Sequence, residues 1–163
     1  MKRSLPCIKT KSGITQRIII STVKEDAYYK TVDSPELLYD YWKVVIEKAS
    51  CHEFDKETLV CVLLNAKLKP FAYNKISVGT VSETLAHPRE VIRPVICTGA
   101  FGFALMHNHP SGDPNPSRAD SQLTTRIREA SEMLQIRFID HVIIGEPEIG
   151  RSPYFSFKEA GHI

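Results

Sequence analysis

The chain has little that would mark it for a membrane, an oxidising compartment or a polyanion. No window approaches the ~18 consecutive apolar residues of a membrane span, so no membrane association is expected. Behind Lys2 and Arg3 there is neither an apolar stretch nor a small-residue cleavage site, which argues against a secretory signal. Four cysteines, Cys7, Cys51, Cys61 and Cys97, form no C-x-x-C pair. A cytoplasmic, reducing compartment fits that usage best, with Cys61 read as a small buried hydrophobe. An excess of one charge is missing as well. The 21 basic and 19 acidic side chains leave a net charge of +2, whereas dedicated nucleic-acid binders are usually more basic.

What charge asymmetry exists lies at the start. Lys2, Arg3, Lys9, Lys11, Arg17 and Lys24 all precede the first acid, Glu25. Residues 1–24 therefore read as a basic arm with a first strand, and 25–163 as the main domain. Any contact with nucleic acid is expected to be weak, salt-dependent and confined to that arm.

The 163 residues suffice for one domain with a real core. Hydrophobic periodicity predicts strands over 16–23, 58–65, 75–80, 101–106 and 138–145, and a short last one over 154–157. It predicts helices over 34–49, after His87-Pro88, and over 117–136. Ser34 and Pro35 suit the start of the first helix, whose apolar stripe is Leu38, Tyr41, Trp42, Val45 and Ile46. The second should bury Val91, Ile92, Val95 and Ile96 and bend at Pro94. The third should bury Leu123, Ile127, Ala130 and Leu134. Interleaved strands and helices make the class α/β, one sheet with helices packed on it.

The chemistry concentrates in "HNHPSGDPNPSRAD", His107 to Asp120. Side chains two apart in an extended segment share a side, so His107 and His109 can converge at the end of a strand. Asp120 falls in the first turn of the next helix, and the Gly/Pro-rich loop lets the chain fold back to bring it near. Two imidazoles and one carboxylate are a three-residue zinc set that leaves a fourth position for water. Ser117-x-x-Asp120 also reads as a helix N-cap with an acidic third residue. Capping leaves the paired histidines unexplained.

The spacing H-x-H-x(7)-S-x-x-D resembles the signature of the JAMM (MPN, JAB) metalloproteases. The surrounding residues, with "DHVIIG", "SVGTVSETLAHPREV" and "YFSF", resemble its RadC branch over roughly residues 34–157. The resemblance implies a mixed, curved β-sheet flanked by helices, related in shape to the zinc deaminases. It implies zinc as cofactor, held by His107, His109 and Asp120. It implies further that Ser117 helps hold a tetrahedral intermediate, and that a glutamate opening the apolar strand before the signature is the general base. Here that residue is Glu57. Glu53 and Glu83 are the rivals, but Glu57 abuts a buried strand whose rigid backbone can hold a carboxylate in place. The implied activity is hydrolysis of a peptide or isopeptide bond in a protein or peptide substrate.

The RadC family carries a DNA-repair label, so a metal-dependent nuclease or DNA-processing factor is the competing reading. Such proteins often carry an upstream helix-hairpin-helix segment, for which this chain has no room, and its near-neutral charge weakens that reading too. A non-catalytic binding module would be expected to have lost ligands. A zinc deaminase would need H-x-E and P-C-x-x-C, and neither occurs. Asp140 and His141 suit hydrogen bonding behind the ligands or strand-edge packing. His52, His87 and His162 are assigned no role, and Arg89 is expected to pair locally.

Overall fold

The apolar run that begins at Glu57 lies in the middle of a sheet in the computed structural model, which describes residues 30–49, 55–79 and 86–163 and the strand segments 2–4, 8–9, 15–16 and 19–22. The strands are β1 (Lys2–Ser4), β2 (Ile8–Lys9), β3 (Thr15–Gln16), β4 (Ile19–Thr22), β5 (Glu57–Leu64), β6 (Pro70–Gly79), β7 (Gly102–Asn108), β8 (Arg137–Ile144) and β9 (Tyr154–Ser156). The helices are α1 (Pro35–Tyr41), α2 (Pro88–Thr98) and α3 (Arg118–Met133). Among the described residues one sheet has the order β1-β4-β6-β5-β7-β8-β9, and β2 pairs with β3. Within the sheet only β7 and β8 are parallel, joined through α3; the other pairs are antiparallel. The architecture is the expected mixed α/β one.

Strand β5 explains its own composition. Residues Thr58–Leu64 are all buried, because both faces of the sheet are covered there. Val60, Val62 and Leu64 pack with Leu38, Tyr41, Trp42 and Ile46 on one side. Leu59, Cys61 and Leu63 pack with Val91 and Val95 of α2 and Ile127 of α3 on the other. A strand between two such layers has no polar face, so the alternation collapses into a continuous apolar run.

The helices are shorter and their faces differ in part from the periodic reading. Ser34 caps α1, its hydroxyl accepting from the Leu37 N–H, and the chain continues through a single π turn, Trp42–Ile46. In α2, Val91, Ile92 and Val95 are buried, but Ile96 is 59% exposed. Pro94 is accommodated inside that helix. In α3, Leu134 lies past the last turn and is 48% exposed. Of the expected face Ile127 is buried and Leu123 and Ala130 are partly so; the other buried residues of α3 are Asp120, Thr124 and Ser131, which makes the seam mostly one of polar groups. A hydrophobic count misses such a seam, since its members are held by hydrogen bonds and not by transfer free energy. β6 starts at Pro70, five residues before the predicted strand, in pairing with β5. Near the N-terminus, Ser21 and Thr22 pair with Tyr73 and Ala72, which adds part of the basic arm to the sheet.

Just past β8, Gly145 passes close beneath the loop that follows His109. A Cβ at Gly145 would stand 2.5 Å from the Gly112 carbonyl oxygen and 2.7 Å from Pro114 Cδ. Gly145→Ala should therefore lower unfolding free energy by about 1–3 kcal/mol, the usual cost of overpacking. A lowered urea midpoint at unchanged m-value checks it.

Candidate metal centre

β7 carries His107 to the end of the sheet, and the extended chain holds His109 two residues on. Their Nε2 atoms are 3.0 Å apart, as period-two alternation requires. α3 brings Asp120 to the same point, with Oδ1 3.3 Å from His107 Nε2 and Oδ2 3.6 Å from His109 Nε2. Glu57, at the start of β5, approaches from the neighbouring strand, its Oε1 3.9 Å from His107 Nε2. One donor atom from each of these four side chains lies within 4.8 Å of the others. His107 and Asp120 are almost wholly buried, while the side chains of His109 and Glu57 are each 15% exposed. The cluster opens to solvent on the His109/Glu57 side.

The donor set fits a cation. His109 Nδ1 lies 2.7 Å from the Asp113 carbonyl oxygen, which can only accept. Nδ1 therefore carries the proton, and the Nε2 lone pair of the neutral ring faces inward. Gly112, with φ +79°, makes the turn that presents this carbonyl. Two ring nitrogens 3.0 Å apart beside a carboxylate need a proton or a metal ion between them. Metal–ligand bonds of about 2.0–2.1 Å in a tetrahedron put donors about 3.3 Å apart. The His107–His109 and His107–Asp120 distances match this edge, and Glu57 at 3.9 Å lies beyond it.

The ionisation states follow from the same contacts. Burial holds the His107 pKa down to about 4, so the ring is neutral at pH 7 and free to ligate. Burial also pulls His109 down, but Asp120, the Asp113 carbonyl and Glu57 outweigh it and raise its pKa. A proton attracted to His109 is what a metal ion would displace. Asp120 is pushed up by burial but held well below the ordinary carboxylate range by His109, His107 and Ser117. Glu57 goes the other way. Burial, aided by the Asp120 charge, raises it from 4.5 to about 7 despite His109, a value suited to moving protons near neutrality.

Ser117 is the N-cap of α3 and forms both halves of a capping box with Asp120. Its hydroxyl accepts from the Asp120 N–H at 3.1 Å and donates to Asp120 Oδ2 at 2.6 Å, while its own N–H donates to Oδ2 at 2.8 Å. Cap and cluster are one construction: pinning Oδ2 leaves Oδ1 turned toward His107. Of the rivals to Glu57, Glu53 and Glu83 lie outside the described residues, as does His52. Arg89 pairs with Glu90, 3.3 Å away.

Sequence reasoning passed over Asn108, the residue between the two histidines. The β5–β7 ladder runs from Leu64/Gly102 to Leu59/His107. Beyond it the Asn108 side chain takes the place of a strand: Oδ1 accepts from the Thr58 N–H at 2.9 Å and Nδ2 donates to the Lys56 carbonyl at 3.1 Å. These groups flank Glu57, so Asn108 fixes the backbone that carries it. The signal available was an amide, able to donate and accept at once, at the end of a strand.

Comparison with known proteins places this geometry. Residues 32–162 match the family model described as a RadC-like JAB domain. A UPF0758 protein of Caldanaerobacter subterraneus is 39% identical over 157 residues, covering 95% of this chain and 62% of its own length. A UPF0758 protein of Thermotoga maritima is 36% identical over 132 residues, 81% of this chain and 54% of its own length. One of Rubrobacter xylanophilus is 48% identical over 107 residues, 66% and 44% respectively. The chain thus spans about half the length of the curated relatives it matches, and their names state no activity. The family match runs through every residue of the histidine–aspartate cluster and through strands β5 to β9, and on that ground the chain belongs to the RadC-like JAB domain family.

Proposed function

We propose that this chain is a zinc-dependent hydrolase of the JAMM type, cleaving a peptide or isopeptide bond in a protein or peptide substrate. The observation that carries the reading is the division of labour in the cluster. Three side chains bring their donors together at 3.0–3.6 Å, His107 Nε2 and His109 Nε2 with Asp120, whose Oδ1 faces His107 and Oδ2 faces His109, and a fourth, the carboxylate of Glu57, stands at 3.9 Å. Bound there, zinc supplies Lewis acidity, polarising a carbonyl and lowering the pKa of water toward about 7.

The protein's part is proton handling and orientation. Glu57 takes a proton from the attacking water at a carboxylate oxygen and delivers it to the leaving nitrogen. Its raised pKa lets one group do both. Asp120 stays ionised and His107 neutral, so neither competes for that proton. Ser117 supplies a donor to the developing oxyanion once its hydroxyl turns from Asp120 Oδ2. Nucleic acid is left at most a weak contact through basic residues of 1–24. The proposed setting is a reducing, cytoplasmic one, in keeping with the free thiols of Cys61 and Cys97. No helix among the described residues is long and apolar enough to cross a membrane.

Chain purified without chelator should contain about one zinc and hydrolyse members of a peptide and isopeptide library. Chelation should abolish turnover and added zinc restore it. Turnover that survives metal removal would overturn the reading.

A further inference from the structure

Behind His107 the interior holds a second histidine that the ligand set does not use. His141 is wholly buried on β8. Its Nε2 lies 2.9 Å from His107 Nδ1, and its Nδ1 lies 2.7 Å from Thr124 Oγ1. Thr124 Oγ1 in turn lies 2.7 Å from the carbonyl oxygen of Asp120.

That chain of contacts has one consistent direction for neutral rings. A carbonyl oxygen can only accept, so the single hydroxyl proton of Thr124 goes to Asp120. Thr124 must then accept from His141, which places the His141 proton on Nδ1 and leaves Nε2 bare. A bare Nε2 accepts from His107 Nδ1–H, and the lone pair of His107 is left on Nε2, facing His109 and Asp120. We infer that Thr124 and His141 are positioning residues, which fix the tautomer and ring orientation of His107 so that Nε2 is presented as a metal ligand. The inference rests on the zinc reading above for its purpose, and on hydrogen-bond direction alone for its geometry.

The fold makes a local exception to achieve this. β7 and β8 pair Phe103 with Phe138 but Leu105 with His141, so β8 spends one more residue than β7 over the interval. An extra residue inverts the alternation beyond it. Phe138 faces the α2/α3 layer, while Val142 and Ile144 face the opposite core. His141 is thereby turned toward α3 and His107. The site of the slip is tied down: Asp140 accepts from the His141 and Lys158 N–H groups at 2.7 and 3.0 Å and from Ser156 Oγ at 2.6 Å. The His141 ring is stacked on Phe157, centroids 5.0 Å apart and planes 13° apart.

Long-range proton–nitrogen spectra of the metal-free wild-type chain at pH 8, with labelled histidine, decide the relay without any substitution. His107 and His141 should both show protonated Nδ1 and bare Nε2, the reverse of the tautomer that free histidine favours in water. Either ring protonated on Nε2 would overturn the inference. Thr124→Val, which keeps shape and removes the hydroxyl, should weaken zinc affinity by about 10-fold or more, measured against a chromophoric chelator, and Thr124→Ser should retain it. Wild-type affinity in a folded Thr124→Val chain would equally overturn the inference. If Thr124→Val fails to fold, the wild-type spectra still decide. A wild-type chain that binds no zinc yet shows the expected tautomers would sink the hydrolase reading and leave the relay standing.

Discussion

His109→Ala and Asp120→Ala should each reduce bound zinc from about one ion per chain to background, measured by elemental analysis after purification without chelator. Removing one of three protein ligands leaves two, too few for the set that holds a catalytic zinc. The two variants should part company in stability. His109 hydrogen-bonds one loop carbonyl, at Asp113. Asp120 closes the capping box of α3, so Asp120→Ala should also cost about 0.5–2 kcal/mol even without metal. Asp120→Asn retains an acceptor for Ser117 and should separate the two roles, keeping most of the cap while binding metal weakly. Full zinc occupancy in both alanine variants would remove the ligand assignment.

Glu57→Gln should leave zinc bound and reduce hydrolysis by about 100-fold or more, the usual contribution of a general base. The 3.9 Å gap to His107 Nε2 is the reason to expect the metal to stay. A second readout needs no substrate. The folded Glu57 has its pKa raised from 4.5 to about 7, chiefly by burial. Between those values the folded protein keeps a proton that the unfolded chain has released, so stability falls as pH rises through the window. Glutamine does not titrate. Metal-free Glu57→Gln should therefore gain on the wild type in melting temperature from about pH 4.5 to 7, and hold that gain above it. A pH-independent difference would show that Glu57 is solvated, and would remove the ground for its role as base.

The His107–His109–Asp120 cluster was legible because it is local. His107 and His109 share a side through strand period alone, and fourteen consecutive residues contain the whole segment from His107 to Asp120. The core strand β5 was legible for the same reason, its seven buried residues being consecutive. The polar seam of α3 was not, because hydrophobic periodicity scores Asp120, Thr124 and Ser131 as solvent-facing when the structure buries them. Thr124 is met there by His141 on β8, and Ser131 turns its hydroxyl back to the Ile127 carbonyl, neither of which a hydrophobic pattern registers.

By itself, then, the sequence determined the α/β class, the donor types and the loop that lets them meet, since each of these is set by residues within a few positions of one another. It offered Glu57 by resemblance, but only the β5–β7 register, Leu59 opposite His107, brings that carboxylate to the cluster. Nor could it choose the direction in which His141 points. Strand alternation has a period of two, and one extra residue between Phe138 and His141 reverses every side chain after it. Such a slip is stabilised by contacts from β9 and the segment beyond it, which a local pattern does not contain.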